Sequence, residues 1–557
     1  MAENFEPQEL DWTDIAARAQ TRLRNSIPAE WRIPHDKLPP DDQRNVLDFP
    51  RQCGLLDENE LKITESYAVE IVGAVAAGEW TAEEVTRAFS KRAAIAHQVT
   101  NCLTVIMFDE AMAQARKLDE HFARTGKTVG PLHGLPISLK DNFNVIGKPS
   151  SVGFCAWALE PMKEESTIVG ILRDLGAIAY VKTNVPTAMT TGYFQWNMQL
   201  ITALVIAESV NNCYGRTLNP INRDLTSGGS SGGESALILM RGSPLGVGTD
   251  IGGSLRIPAA CTGIFTIRPS YGRFPHFDAR SGLAGQESVG SVHGPMAHSI
   301  PDLQLWASTV MSKCPWLRDP KCIDLPWRPV TLQPKLKIAV LWDNGLVTPT
   351  PPVQRALKEV VAKLKMKGTY VFVDWPSTDH AEATELLGKF FVSDGGKSVR
   401  NILEPVREPF RPEMAAYRDA KELGVHELWQ LQKQRTALCK RYLDRWNACE
   451  GLDAILSPTT PYAAPKNGEF KSVSYTGVYN ILDYSCTSFP TGVYGHREYD
   501  VYPPNFKPKN EVDDLTQKLH DPDSIHGMPV SLQLVGRRLE EEKILAITER
   551  VVADLAS

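Results

Sequence analysis

Between Gly228 and Pro258 the chain reads GGSSGGESALILMRGSPLGVGTDIGGSLRIP, with nine glycines in 31 residues. Two glycine–serine clusters, Gly228–Gly233 and Gly252–Ser254, bracket one short apolar run. Glycine loses more backbone freedom on folding than any other residue, so such density needs a cause. A flexible linker is one cause. Against it stands Ala236 to Met240, an apolar helix-forming run of a kind linkers do not carry. The other cause is that backbone N–H groups must come close to a ligand or a reacting atom.

Three chemistries place backbone N–H groups beside serines. Phosphate cradling calls for a lysine directly after the glycines, and neither cluster has one. A nucleophile elbow of the form G-x-S-x-G is met formally at Gly228–Gly232 and Gly229–Gly233, but it needs a buried strand running into the turn. The preceding residues, Asn219-Pro220-Ile221-Asn222-Arg223-Asp224, are turn chemistry instead. The third chemistry is a serine nucleophile served by a lysine held neutral through burial. Upstream, Leu132-His133-Gly134-Leu135-Pro136-Ile137-Ser138-Leu139-Lys140-Asp141 ends a short strand-like run on Lys140. Taken alone, such a lysine is more often a solvated loop residue.

In this order and spacing, GLPISLKD, GGSSGGE and GTDIGGSLRIPA resemble the amidase signature family. The resemblance implies an α/β fold with a mixed central sheet, helices on both of its faces and an N-terminal helical wrap. It implies a Ser-cisSer-Lys triad: Ser254 as nucleophile, Ser230 (24 residues earlier) as bridging serine after a cis peptide, and Lys140 as base. The backbone N–H groups of Ile251, Gly252, Gly253 and Ser254 would form the oxyanion hole, with Met189 and Ser231 on the substrate side. Asp250 and Arg256 flank the nucleophile, and a plain structural ion pair is the favoured reading of them. No cofactor and no metal are implied. AEWRIP, NNCYGRTLNP, HGPMAHSIPDLQLW, ILDYSCTSFPTG and HGMPVSLQLVGRRLEEEKIL are similar to segments of fungal acetamidases and general amidases. That subgroup cleaves small aliphatic or arylacetic amides to acid and ammonia.

With 42% hydrophobic and 23% charged residues, the composition is that of a globular protein. A net charge of −6 gives no electrostatic case for nucleic acid or an anionic membrane, and a small-molecule amide is the partner expected. A homodimer is compatible with this. Ten cysteines without C-x-x-C pairing point to free thiols and a cytoplasmic setting, and no run approaches the length of a membrane span. Residues 1–79 read as a helical and extended wrap, 80–557 as the catalytic domain with a signature core at about 132–270. Within the wrap, periodicity predicts a helix over 10–26 and proline-rich extended chain over 27–62. Further on it predicts a helix opened by a Thr81–Glu84 capping box, strands at 102–107 and 177–182, helices at 110–124 and 166–175, and a strand–helix–strand unit over 336–373. A long helix at 424–449, a strand at 530–535 and a helix at 539–555 follow.

One segment departs from the family. Thr190 to Val205, TTGYFQWNMQLITALV, is sixteen residues inserted where relatives pass quickly to the equivalent of Glu208. It is too apolar for a comfortable solvent loop. Three readings stand side by side: a reshaped acyl pocket against which Tyr193, Phe194 and Trp196 pack, a lid, or a translated intron. Two other functions compete with an amidase, a catalytically impaired protein that keeps the fold and an amidotransferase-type subunit. A serine protease is remote, since no histidine motif accompanies the serines.

Overall fold

Helix starts in this chain are written in local side-chain chemistry. At Thr81, Oγ1 accepts from the Glu84 N–H at 3.1 Å while the Glu84 carboxylate accepts from the Thr81 N–H at 2.8 Å. A second box, missed within the proline-rich stretch, joins Asp57 and Glu60 and opens a helix at Glu58–Glu65. The extended wrap therefore ends earlier than 62. The structure is a computed structural model describing residues 11–189, 193–197, 200–204 and 207–557, the two short stretches as backbone only.

The elements that matter for the site, in chain order, begin with helices α1 (Trp12–Asn25) and α2 (Ala82–Thr100), then strands β1 (Leu103–Ile106), β2 (Pro136–Lys140) and β3 (Ile178–Thr183). Next come α3 (Gly232–Leu239), β4 (Leu245–Asp250), α4 (Arg256–Thr262), β5 (Phe265–Arg268) and β6 (Val292–Ala297). Then follow β7 (Leu336–Val340), α5 (Pro351–Met366), β8 (Tyr370–Asp374), α6 (His380–Phe391) and α7 (Val425–Ala448). The last are β9 (Ala454–Pro458), α8 (Ser474–Leu482), β10 (Cys486–Tyr494), β11 (Pro529–Val535) and α9 (Glu541–Ala556). The eleven strands form one sheet in the order β1-β3-β2-β4-β6-β5-β10-β11-β9-β7-β8. It is mixed: β3, β2 and β4 run parallel, as do β9, β7 and β8, and the remaining pairs are antiparallel.

Strand alternation sends apolar residues to both faces. From β7, Leu336, Ile338 and Val340 pack with Leu357 and Leu364 of α5 and Leu545 of α9, whereas Ala339 packs with Leu387 of α6, Tyr442 of α7 and Tyr479 of α8. Helices thus cover both faces. At the N-terminal end α1 is tied down by two side chains: Gln20 donates to the Cys213 carbonyl at 2.7 Å and Arg22 to that of Ala158 at 2.8 Å. The predicted helix at 539–555 starts two residues later, because Leu539 has φ +63° and is not helical. In the long helix Trp446 is buried and Trp429 is 61% exposed.

In the inserted segment, the backbones of Tyr193–Asn197 and Leu200–Leu204 pair antiparallel, with Tyr193 opposite Leu204. The expected packing of Tyr193, Phe194 and Trp196 against the acyl pocket falls on side chains outside the described residues. Among the described residues, no helix is long and apolar enough to cross a membrane.

Candidate active site

Parallel pairing of β2 with β4, Leu139 opposite Val247, brings the end of one strand beside the loop that leaves the other. Lys140 closes β2 and is completely buried. Its Nζ lies 2.7 Å from Ser230 Oγ and 2.7 Å from Thr249 Oγ1. Burial pushes the Lys140 ammonium down to about 7, against the pull of the Asp250 and Glu234 carboxylates. A group that is ordinarily charged is therefore available as a free amine near neutral pH.

Ser230 follows a cis peptide bond at Gly229–Ser230, as the resemblance implied. Its neighbour Ser231 was expected on the substrate side. It is buried, as Ser230 and Lys140 are, its Oγ exchanging long, 3.4 Å hydrogen bonds with the N–H and carbonyl of Thr249. Ser231 therefore holds the glycine–serine turn to the strand.

Ser254 lies on the short loop between β4 and α4. Ile251, Gly252 and Ser254 are half-buried, while almost everything around them is fully buried. The loop is clamped at its base by Asp250, which accepts from the Gly253 N–H at 2.8 Å and the Leu255 N–H at 3.2 Å. The first of these bonds already engages the N–H of Gly253, one of the four backbone donors expected to face a substrate oxygen. Ile251, Gly252 and Ser254 keep N–H groups with no acceptor among the described residues. Gly253 serves shape instead. Its φ is +132°, and a Cβ there would lie 2.3 Å from Thr476 Oγ1. That hydroxyl in turn donates to the Gly252 carbonyl at 2.7 Å. Met189, with φ +54°, packs against the apolar cluster that holds Val152, Phe154 and Leu403.

Asp250 and Arg256 form a completely buried ion pair, Nε to Oδ2 3.0 Å. Asn480 links both partners: its Nδ2 donates to Asp250 Oδ1 at 2.8 Å and its Oδ1 accepts from Arg256 at 2.6 Å. Burial alone would raise the Asp250 carboxyl, but the Arg256 guanidinium, helped by Arg268 and Asn480, holds it well below the usual carboxylate range. Breaking one side of such a pair leaves a buried charge unpaired, at a cost of about 3–5 kcal/mol. Arg256→Met should accordingly show a much lower thermal midpoint than the parent at pH 7. Because the folded carboxyl is depressed, the pair's contribution is full above the ordinary aspartate value of about 3.9 and fades as pH falls below it. The gap between the two midpoints should narrow in acid, and a gap independent of pH would count against the ion pair as its source.

Thr249, Thr476, Asn480 and Glu234 escaped the sequence reading. Asn480 stands 224 residues from Arg256, and no one-dimensional spacing points to it. Glu234 did leave a trace, a lone carboxylate entering an apolar helix inside GGSSGGE.

The family model described as Amidase matches residues 84–545 of this chain. The chain belongs to the amidase family. It is 40% identical over 555 residues to an acetamidase of Emericella nidulans, covering 97% of both chains, and 38% identical over 555 residues to an acetamidase of Aspergillus oryzae, covering 97% of this chain and 98% of that one. Among solved structures it resembles a fatty acid amide hydrolase with TM-score 0.91 and 34% identity, over 99% of this chain and 98% of that one. The protein is an amide hydrolase with the amidase-signature fold.

Proposed function

We propose that this amidase cleaves small carboxylic acid amides, acetamide-like or arylacetic, to the acid and ammonia through an acyl-enzyme. The observation that carries the reading is the buried Lys140 amine at 2.7 Å from Ser230 Oγ. Neutral Lys140 takes the proton of Ser230; Ser254 Oγ, which has no hydrogen bond to a described residue before substrate arrives, gives its proton to Ser230 as it attacks the amide carbonyl. The oxyanion forms beside the N–H groups of Ile251, Gly252 and Ser254, which have no acceptor among the described residues. The proton returns along the same path to the departing nitrogen, and water then opens the ester. Kinship with two fungal acetamidases supports the choice of small amides. The same reading makes it a cofactor-free cytoplasmic enzyme with no nucleic-acid or membrane partner, in keeping with ten free cysteines and a net charge of −6; a homodimer is compatible with it.

Ammonia release from acetamide, hexanamide, benzamide and indole-acetamide tests the substrate class, and turnover of none of them would overturn it. With a neutral lysine as base, kcat/KM should rise with pH through an apparent pKa near 7, not the value of about 10.4 for a free lysine. A rising limb near the free-lysine value would remove neutral Lys140 from the mechanism.

A further inference from the structure

Glu234 sits in the first turn of α3 and is completely buried. Two hydroxyls hold its carboxylate: Ser138 Oγ donates to Oε2 at 2.5 Å and Thr183 Oγ1 to Oε1 at 2.8 Å. Both come from the strands around Lys140. Ser138 precedes it on β2, and Thr183 is its register partner on β3. The slot is cut to fit, for a Cβ at Gly246 would stand 2.1 Å from Glu234 Oε2. Among the described residues no cation forms an ion pair with this carboxylate.

An ammonium arises in the same place when Lys140 takes up the serine proton. A buried ion without a counter-charge costs several kcal/mol. Asp250 is already committed, with Arg256 on both its oxygens. Glu234 is the other carboxylate acting on Lys140. We propose that Glu234 is a positioning residue that supplies the counter-charge to the Lys140 ammonium formed during acylation. The inference rests on Lys140 being the base. The proton passes from Ser254 Oγ to Ser230 Oγ to Lys140 Nζ, and the carboxylate acts through space without making or breaking a bond.

The other ionisable groups facing this pair are accounted for. His293 on β6 is kept neutral by burial, and burial keeps the Cys102 thiol and the Tyr180 hydroxyl of β3 protonated. Burial lifts the Glu234 carboxyl to about 7, with Ser138, Thr183 and Lys140 opposing it. It therefore titrates in the same range as the lysine, and the two affect each other's proton.

The test is the pH profile of kcat/KM for Glu234→Gln beside the parent. Glutamine keeps the shape and drops the charge, so the lysine ammonium loses a stabilising neighbour. The rising limb should move to lower pH by about one unit or more, and kcat should fall about ten- to a hundredfold. A structural role alone would lower the thermal midpoint and leave the limb where it is; an unmoved limb overturns the proposal. Should Glu234→Gln fail to fold, Thr183→Val removes one hydroxyl from the carboxylate at similar volume. It should move the limb less, in the same direction, and no movement overturns the proposal there too. The base assignment is tested separately. If the parent lacks a limb near 7 or Lys140→Ala stays active, that reading fails and carries this inference down with it.

Discussion

Ser254→Ala should be well folded and inert. Ser254 Oγ makes no hydrogen bond to any described residue, and its loop is held by Asp250 through backbone groups that alanine retains. Its loss should therefore leave the thermal midpoint near that of the parent. Catalysis is another matter. Removing a nucleophile costs about 10⁴-fold or more in turnover, because what remains is binding and oxyanion stabilisation with nothing to attack. Ammonia release measures the first effect and a melting curve the second. A fluorophosphonate reagent should label the parent at position 254 and leave the variant unmarked. Retention of more than a tenth of the parental rate would place the nucleophile elsewhere.

Lys140→Arg should be as inactive as Lys140→Ala, each down by about 10³-fold or more. The argument turns on what the position supplies. If it were positive charge, arginine would serve, since its guanidinium is charged at any working pH. If it is a base, arginine is useless for the same reason. The geometry favours a base: among the described residues Nζ meets two hydroxyls and no carboxylate at hydrogen-bond distance. The side chain is also buried, where the free amine is the cheaper form. An active arginine variant would show that charge alone matters at this position.

The strand that ends on Lys140 was legible because punctuation bounds it, whereas Leu245–Asp250, which leads to Ser254, was not read as a strand. The run before Lys140 is apolar, short and bounded by glycine and proline, but the burial of the lysine itself needed the motifs around it, since such a lysine taken alone is more often solvated. The serines and glycines from 228 to 254 declare a close backbone approach. What sequence could not convey is competition for donors. Gly252 and Gly253 look alike in a string, yet only Gly253 has its N–H taken by Asp250. Ser230 and Ser231 are likewise adjacent and alike, and register against β4 ties Ser231 to Thr249 while Ser230 reaches the lysine. The late half of the sheet was harder still. Its partners are non-local, and Thr476 and Asn480 sit in a helix that shows no local signal of its task.

That distance has a consequence for how the enzyme is made. Lys140, Ser230 and Ser254 emerge from the ribosome together in the first half of the chain. Asp250 clamps the loop from within that same stretch, but its other fastenings come much later: the Thr476 hydroxyl on the Gly252 carbonyl, the Asn480 amide on Asp250, and Gln533, which accepts from Arg256 at 3.2 Å. A nascent chain that has passed residue 270 thus carries all three residues of the proposed triad and none of these late fastenings. The loop around Ser254 can therefore acquire its full set of bonds only once the final sheet strand, which carries Gln533, has been translated and docked.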